Sequence, residues 1–197
     1  MVIAICSHKG GCSKTTTAIH LAGVLQERGP TLVVDGDLNR QCLAWSNAGR
    51  LPFQVMDEET AAAHLRKFEH VVIDTPARPS GDDLAVLTQN SDVVIIPTAP
   101  AALSLQALIR TVKDIGPVAN GKLRILITIA PPRPSRAADE ARSAMVGAGL
   151  PVMVGQIRRL AAFEAASAEG LLVKDVADRR AGVGWDDYAR VVRELLP

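Results

Sequence analysis

Between an apolar run at residues 2–6 and a helical pattern beginning at residue 14 lies the stretch SHKGGCSKTT, residues 7–16. A glycine pair, two lysines and a threonine run in that position have one evident chemistry. Backbone N–H groups of the turn, together with the N-terminus of the following helix, form a cradle for a polyphosphate. Lys14, at the helix start, reaches the β- and γ-phosphates, and the hydroxyl of Thr15 is a magnesium ligand. The strict GxxxxGK[ST] pattern is broken, because His8 and Ser13 stand at its two glycine positions.

Two acidic strand ends extend this chemistry. TLVVDGD (31–37) closes an apolar run with Asp35 and Asp37, and HVVIDTP (70–76) closes another with Asp74. A carboxylate at the end of a buried strand is costly without a partner, and a magnesium ion on bound phosphates supplies one. Asp74 therefore fits a magnesium carboxylate acting through water. Asp37, beyond its strand, is placed to orient an attacking water. Asp35 has two readings that the sequence leaves open, a site acid or a structural acid capping the following turn.

The elements needed to position these groups are legible as alternating patterns. VIAIC (2–6), TLVVD (31–35), HVVID (70–74), DVVIIP (92–97) and LRILITI (123–129) are apolar almost without a break, as in parallel strands covered on both faces. Weaker strands are expected near 53–56 and 151–154. Helical spacing is expected at 14–28, 101–115, 135–147, 159–169 and about 184–196. The alternation predicts one α/β domain over residues 1–197, a three-layer, mostly parallel sheet flanked by helices. Ligands of such sheets sit beyond the carboxyl ends of the strands, where the lysines and acids fall.

Composition bounds the rest. Only 3% of residues are aromatic, so the core must be aliphatic and an aromatic platform for stacking bases is excluded. Net charge is +1, but residues 1–119 carry 10 Lys/Arg against 12 Asp/Glu and residues 120–197 carry 12 against 9, so a polyanion surface is expected in the later part. Cys6, Cys12 and Cys42 form no metal-ligand spacing and no even disulfide set, which fits a reducing, cytoplasmic setting. No stretch approaches eighteen apolar residues.

KGGCSKTT (9–16) resembles the deviant Walker A box, usually KGGxGKTT, of the ParA/MinD family of ATPases. DGDLNRQ (35–41) resembles that family's second box and VVIDTP (71–76) its Walker B strand, while SDVVIIPTAP (91–100) and IRRLAAFEAASAEG (157–170) resemble later family segments. The resemblance implies a P-loop NTPase fold, ATP and Mg2+, and a short ParA-type ATPase. It implies that Lys9 is the signature lysine, crossing an ATP-bound homodimer to the partner's phosphates, that Lys14 is the P-loop lysine and that Asp37 is needed for hydrolysis. Gly10, Gly11, Cys12, Ser13, Lys14, Thr15 and Thr16 then bind nucleotide, and Thr15 and Asp74 serve the metal. Ser13 and Cys12 depart from the family pattern, as do Leu38 and Asn39 in the second box. A residue with a Cβ at position 13 calls for backbone angles suited to an L-residue, and an exposed Cys12 would be a site of thiol sensitivity.

ParA relatives bind DNA non-specifically as ATP dimers, whereas MinD relatives use a basic amphipathic C-terminal helix on membranes. The C-terminal helix here carries only Arg190 and Arg193, against Asp186, Asp187 and Glu194, so it is expected to pack as a terminal helix without a stable membrane anchor. Arg158, Arg159, Lys174, Arg179 and Arg180 are the candidate DNA contacts. The expectation is a nucleoid-associated ATPase that segregates or positions a plasmid, a chromosome region or a protein assembly such as a carboxysome, with a ParB-like or other cargo adaptor. A MinD-like membrane-associated positioning ATPase and a metabolic P-loop synthetase are the alternatives.

Overall fold

Four consecutive residues of the first strand and its end, Ile3, Ala4, Ile5 and Cys6, are wholly buried. That is the burial expected of a central strand in a sheet covered on both faces. A computed structural model describes residues 1–7, 10–76, 81–119 and 121–196. Within them, β1 (Val2–Ile5), β2 (Thr31–Asp35), β3 (Gln54–Asp57), β4 (His70–Asp74), β5 (Val93–Thr98), β6 (Leu123–Ala130) and β7 (Val152–Arg158) form one sheet in the order β3-β2-β4-β1-β5-β6-β7. Every pairing is parallel.

The helices are α1 (Lys14–Gln26), α2 (Gln41–Ser46), α3 (Glu58–Ala62), α4 (Gly81–Asn90), α5 (Ala102–Ala119), α6 (Ala137–Gly147), α7 (Ala161–Glu169) and α8 (Ala181–Leu195). The two-residue period of β1 divides the core. Ile3 and Ile5 pack with residues of α1, α7 and α8 on one face, and Ala4 and Cys6 with residues of α4, α5 and α6 on the other. A smaller cluster, Leu32, Val34, Ala61 and Val71, closes the sheet under α3.

The expected α/β fold is therefore present, with the strand positions close to those read from the sequence. The differences are local. The short helices α2 and α3, and α4, lack a long apolar stripe and were not anticipated. The last helix begins at Ala181, not near 184. Gly184 within it is a packing position: a Cβ there would lie 3.0 Å from Phe163 and 3.2 Å from Leu160.

Topology sets where the site lies. The chain leaves β1 over β4 towards β2, and leaves β4 over β1 towards β5. Neighbouring strands whose connections run opposite ways open a crevice at their carboxyl ends. Register puts Ile5 beside Asp74 and Asp35 beside Asp74 at that edge.

Candidate nucleotide site

The turn after β1 opens onto the crevice. Gly11 has φ +72, and a Cβ at Gly10 or Gly11 would meet nothing within 4 Å, so the turn faces open space. Ser13 occupies the left-handed region at φ 69, ψ 32, makes no side-chain cap to α1, and accepts the Thr17 N–H on its carbonyl at 2.9 Å. The Cβ at this position has thus not changed the backbone from the conformation a glycine would take. The cost of the left-handed angle is absorbed, on the order of 1 kcal/mol. Lys14 opens α1 and is 8% exposed.

The P-loop is braced from the other half of the sheet. The Thr128 hydroxyl donates to the Cys12 carbonyl at 3.1 Å. Next to it Ile129 has φ 53, where β6 and β7 shift register. A β-branched residue rarely adopts that angle, and Ile129 lines the cleft beside Ser13 and Thr16. Cys12 itself is buried, 3% exposed, so the exposure that thiol sensitivity required is not met.

Asp74 is wholly buried. Its Oδ2 accepts the Thr15 hydroxyl at 2.7 Å and the Cys42 thiol at 3.4 Å. Its Oδ1 has no hydrogen-bond partner among the described residues. Burial is the main reason its pKa rises to about 6, opposed by the Thr15 hydrogen bond and the Lys14 charge. An orphaned, buried carboxylate oxygen beside a threonine hydroxyl and a lysine suits a hydrated magnesium ion, so the residues present fit that metal. Thr15 and Asp74, which the sequence placed together in this role, do meet.

The second box shows what holds Asp35. It accepts the N–H of Asp37 at 3.2 Å on Oδ1 and the N–H of Leu43 at 2.9 Å on Oδ2, so it caps the turn and the start of α2. Asp37, 8% exposed, accepts the backbone N–H of Asn39 at 2.9 Å and its side-chain amide at 3.0 Å, both on Oδ1. Asn39, where the family often has glutamine, thus holds the Asp37 carboxylate in place. Lys9 lies outside the described residues.

Two clefts flank the helix start. One of about 740 Å3 is lined by Ser13, Thr16, Arg158, Arg159, Phe163 and Tyr188 among others. The other, about 310 Å3, is lined by Thr15, Gln41, Trp45 and Ser167. Their volumes are those of small-molecule sites.

A buried histidine holds α1 against the wall of these clefts. The Val173 N–H donates to His20 Nε2 at 3.0 Å, which leaves the ring proton on Nδ1 to bond the Thr16 carbonyl at 2.7 Å. His20 stacks on Tyr188 at 5.1 Å and meets Phe163 and Trp45 edge-on. Desolvation lowers its pKa to about 4, so it is neutral. Sequence reasoning passed over His20; a lone histidine among Ile19 and Leu21 was the available signal.

The candidate polyanion contacts fall into two groups. Arg158 is clamped to buried Asp187, Nε to Oδ2 at 2.9 Å and Nη2 to Oδ1 at 2.6 Å, and this pairing raises its pKa. Lys174 pairs with Glu27 at 2.7 Å and lies 4.2 Å over the Trp185 ring. Arg159, Arg179 and Arg180 are exposed. A separate groove of about 590 Å3 between α6, β7 and α8 gathers Arg190 and Arg193 of the C-terminal helix with Arg133 and Arg142, which the sequence pattern did not single out. On its buried face α8 carries Tyr188, Val191 and Val192. Among the described residues no helix is long and apolar enough to cross a membrane.

Comparison with known proteins agrees with this geometry. The model of the CobQ/CobB/MinD/ParA nucleotide binding domain matches residues 3–173. A protein named maintenance of carboxysome distribution protein A, from Gloeobacter kilaueensis, is 33% identical over 201 residues, covering 98% of this chain and 93% of the relative. Apo McdA of Cyanothece shares the fold with a TM-score of 0.78 at 16% identity, over 99% of both chains. The McdA–ATP complex of Cyanothece gives a TM-score of 0.73 at 17% identity, over 98% of this chain and 95% of that one. Built on a parallel sheet with a lysine, a threonine and a buried acid at its switch point, the chain belongs to the CobQ/CobB/MinD/ParA nucleotide-binding domain family.

Proposed function

We propose that the chain is a magnesium-dependent ATPase that forms an ATP-bound homodimer, binds DNA non-specifically and, with a cargo adaptor protein, positions a carboxysome or a comparable assembly over the nucleoid. The observation that carries the enzymatic half is the contact between Thr15 and buried Asp74, whose second oxygen has no hydrogen-bond partner among the described residues. The choice of cargo is supported by the full-length similarity to a protein named for carboxysome distribution.

In this reading ATP is the substrate. Lys14 and the backbone of residues 10–16 bind its phosphates, and the larger cleft beside Ser13 and Thr16 takes the rest of the nucleotide. Thr15 and Asp74 would hold Mg2+, which when bound would supply charge to offset that of the phosphates. Asp37, fixed by Asn39, orients the attacking water. Lys9 brings a positive charge to the partner's phosphates only on dimerisation, so hydrolysis is tied to assembly. Exposed Arg159, Arg179 and Arg180 contact DNA phosphates, doubled in the dimer, whereas Arg158 and Lys174 are paired with Asp187 and Glu27 and add little net positive charge.

The test compares wild type, Lys9→Ala and Asp37→Ala for ATP-dependent dimerisation and plasmid-DNA binding. Asp37→Ala is expected to accumulate as a DNA-bound dimer, and Lys9→Ala to lose DNA binding. A wild type that stays monomeric and ignores DNA at low salt with ATP and Mg2+ refutes the positioning role.

A further inference from the structure

The nucleotide reading leaves Cys42 without a purpose. The strand register sets Asp35 beside Asp74, and the first turn of α2 brings the thiol of Cys42 against that pair. One ligand atom from each of Asp35, Cys42 and Asp74 lies within 4.8 Å of the other two, and all three residues are wholly buried.

Two carboxylates so close and so dry favour positive charge beside them, of which Lys14 supplies part. Backbone N–H groups serve Asp35, and the Thr15 hydroxyl and Cys42 thiol serve one oxygen of Asp74. The other oxygen of Asp74 keeps no partner among the described residues. The donor set is two carboxylates and a sulfur. Magnesium takes oxygen donors and gains nothing from a thiol, whereas zinc-class ions favour a cysteine sulfur joined by carboxylate oxygens. Donors around one tetrahedral zinc stand about 3.5 Å apart, so side-chain shifts of about 1 Å close the set. Thr15, whose hydroxyl bonds Asp74, also lines the cleft of about 310 Å3.

We propose that Asp35, Cys42 and Asp74 form a site for a thiophilic divalent cation of the zinc class, filled in the nucleotide-free protein and incompatible with magnesium-dependent nucleotide binding because both need Asp74. The exclusion rests on the nucleotide reading above, and the metal site does not. On binding, the Cys42 S–H bond breaks, its proton goes to solvent, and a sulfur–metal bond forms with no change of oxidation state.

The probe is Co2+ alone, titrated into nucleotide-free wild type, Cys42→Ser and Cys42→Ala and followed by absorbance. Wild type is expected to show a near-ultraviolet thiolate-to-cobalt band that Zn2+ abolishes and millimolar Mg2+ does not. Cys42→Ser and Cys42→Ala lose the band, and their affinity for Zn2+ falls by more than about tenfold. Absence of the band in wild type overturns the site whether or not the variants fold, as does a band that persists in folded Cys42→Ser. A fluorescent ATP analogue with Mg2+ is measured in parallel, with and without Zn2+. Nucleotide binding without a cobalt band sinks the metal site and leaves the nucleotide reading standing; a cobalt band without nucleotide binding does the reverse. If both ligands bind and Zn2+ does not weaken the nucleotide, the exclusion is wrong.

Discussion

Replacing Asp74 with asparagine should stabilise the protein free of both nucleotide and metal, while removing the acid that the proposed chemistry needs. Burial lifts the Asp74 pKa from 3.8 to about 6. The folded state then holds a proton more tightly than the unfolded state, so this group adds stability as pH falls from about 6 towards 3.8. Above pH 6 the ionised carboxylate carries its full penalty, about 3 kcal/mol at 1.36 kcal/mol per pKa unit. Asparagine keeps an acceptor for the Thr15 hydroxyl and the Cys42 thiol, but its amide needs a partner of its own, which lowers the expected gain to about 2 kcal/mol. For a chain of this size that is a rise in Tm of about 4–8 °C at pH 8. Thermal and urea denaturation of wild type and Asp74→Asn, without nucleotide and with EDTA to strip metal, at pH 8 and pH 4 measure it. The gap should be full at pH 8 and close at pH 4, where wild type is already protonated. A variant no more stable than wild type at pH 8, or a gap independent of pH, would show that the buried charge is compensated and that the orphaned oxygen costs nothing. Stability gained together with loss of magnesium-dependent nucleotide binding would mark a residue kept for function against the fold's preference.

Ser13→Gly should raise stability by up to about 1 kcal/mol, because glycine adopts the left-handed angle at position 13 without the Cβ penalty. A melting curve decides it, and a drop in Tm would mean that the Ser13 side chain contributes more than its backbone costs. His20 acts on the acid limb. Its folded pKa of about 4 lies below the ordinary 6.5, so the unfolded state takes up the proton first and stability is lost as pH falls through 6.5 towards 4. Wild type should lose about 2 kcal/mol more than His20→Gln between pH 7 and pH 5. Urea midpoints at the two pH values give the comparison, and equal losses in both proteins would place the acid sensitivity elsewhere.

What the sequence disclosed and what it hid divide along chain separation. Strands buried on both faces announce themselves as unbroken apolar runs, and a lysine, a threonine or an acid at the end of such a run stands out because burial there needs a reason. Lys14, Thr15 and Asp74 were legible on that ground, and register then brought Thr15 and Asp74 together. Contacts that brace the site across the fold left no local trace. Thr128 bonds the Cys12 carbonyl across 116 residues, and His20 bonds the Val173 N–H across 153. The clamp of Arg158 on Asp187 was hidden for the same reason, since each is an ordinary charged residue in its own window. That Asp35 caps the start of α2 could not be read until the position of the Leu43 N–H was known.

The central claim is that this crevice binds magnesium–nucleotide through Lys14. Equilibrium binding of a fluorescent ATP analogue to wild type and Lys14→Ala, with Mg2+ and with EDTA, tests it most directly. Saturable binding by wild type that requires Mg2+ and is lost in a folded Lys14→Ala is the predicted result. Binding that is absent in wild type, or that survives both EDTA and the loss of Lys14, would contradict it.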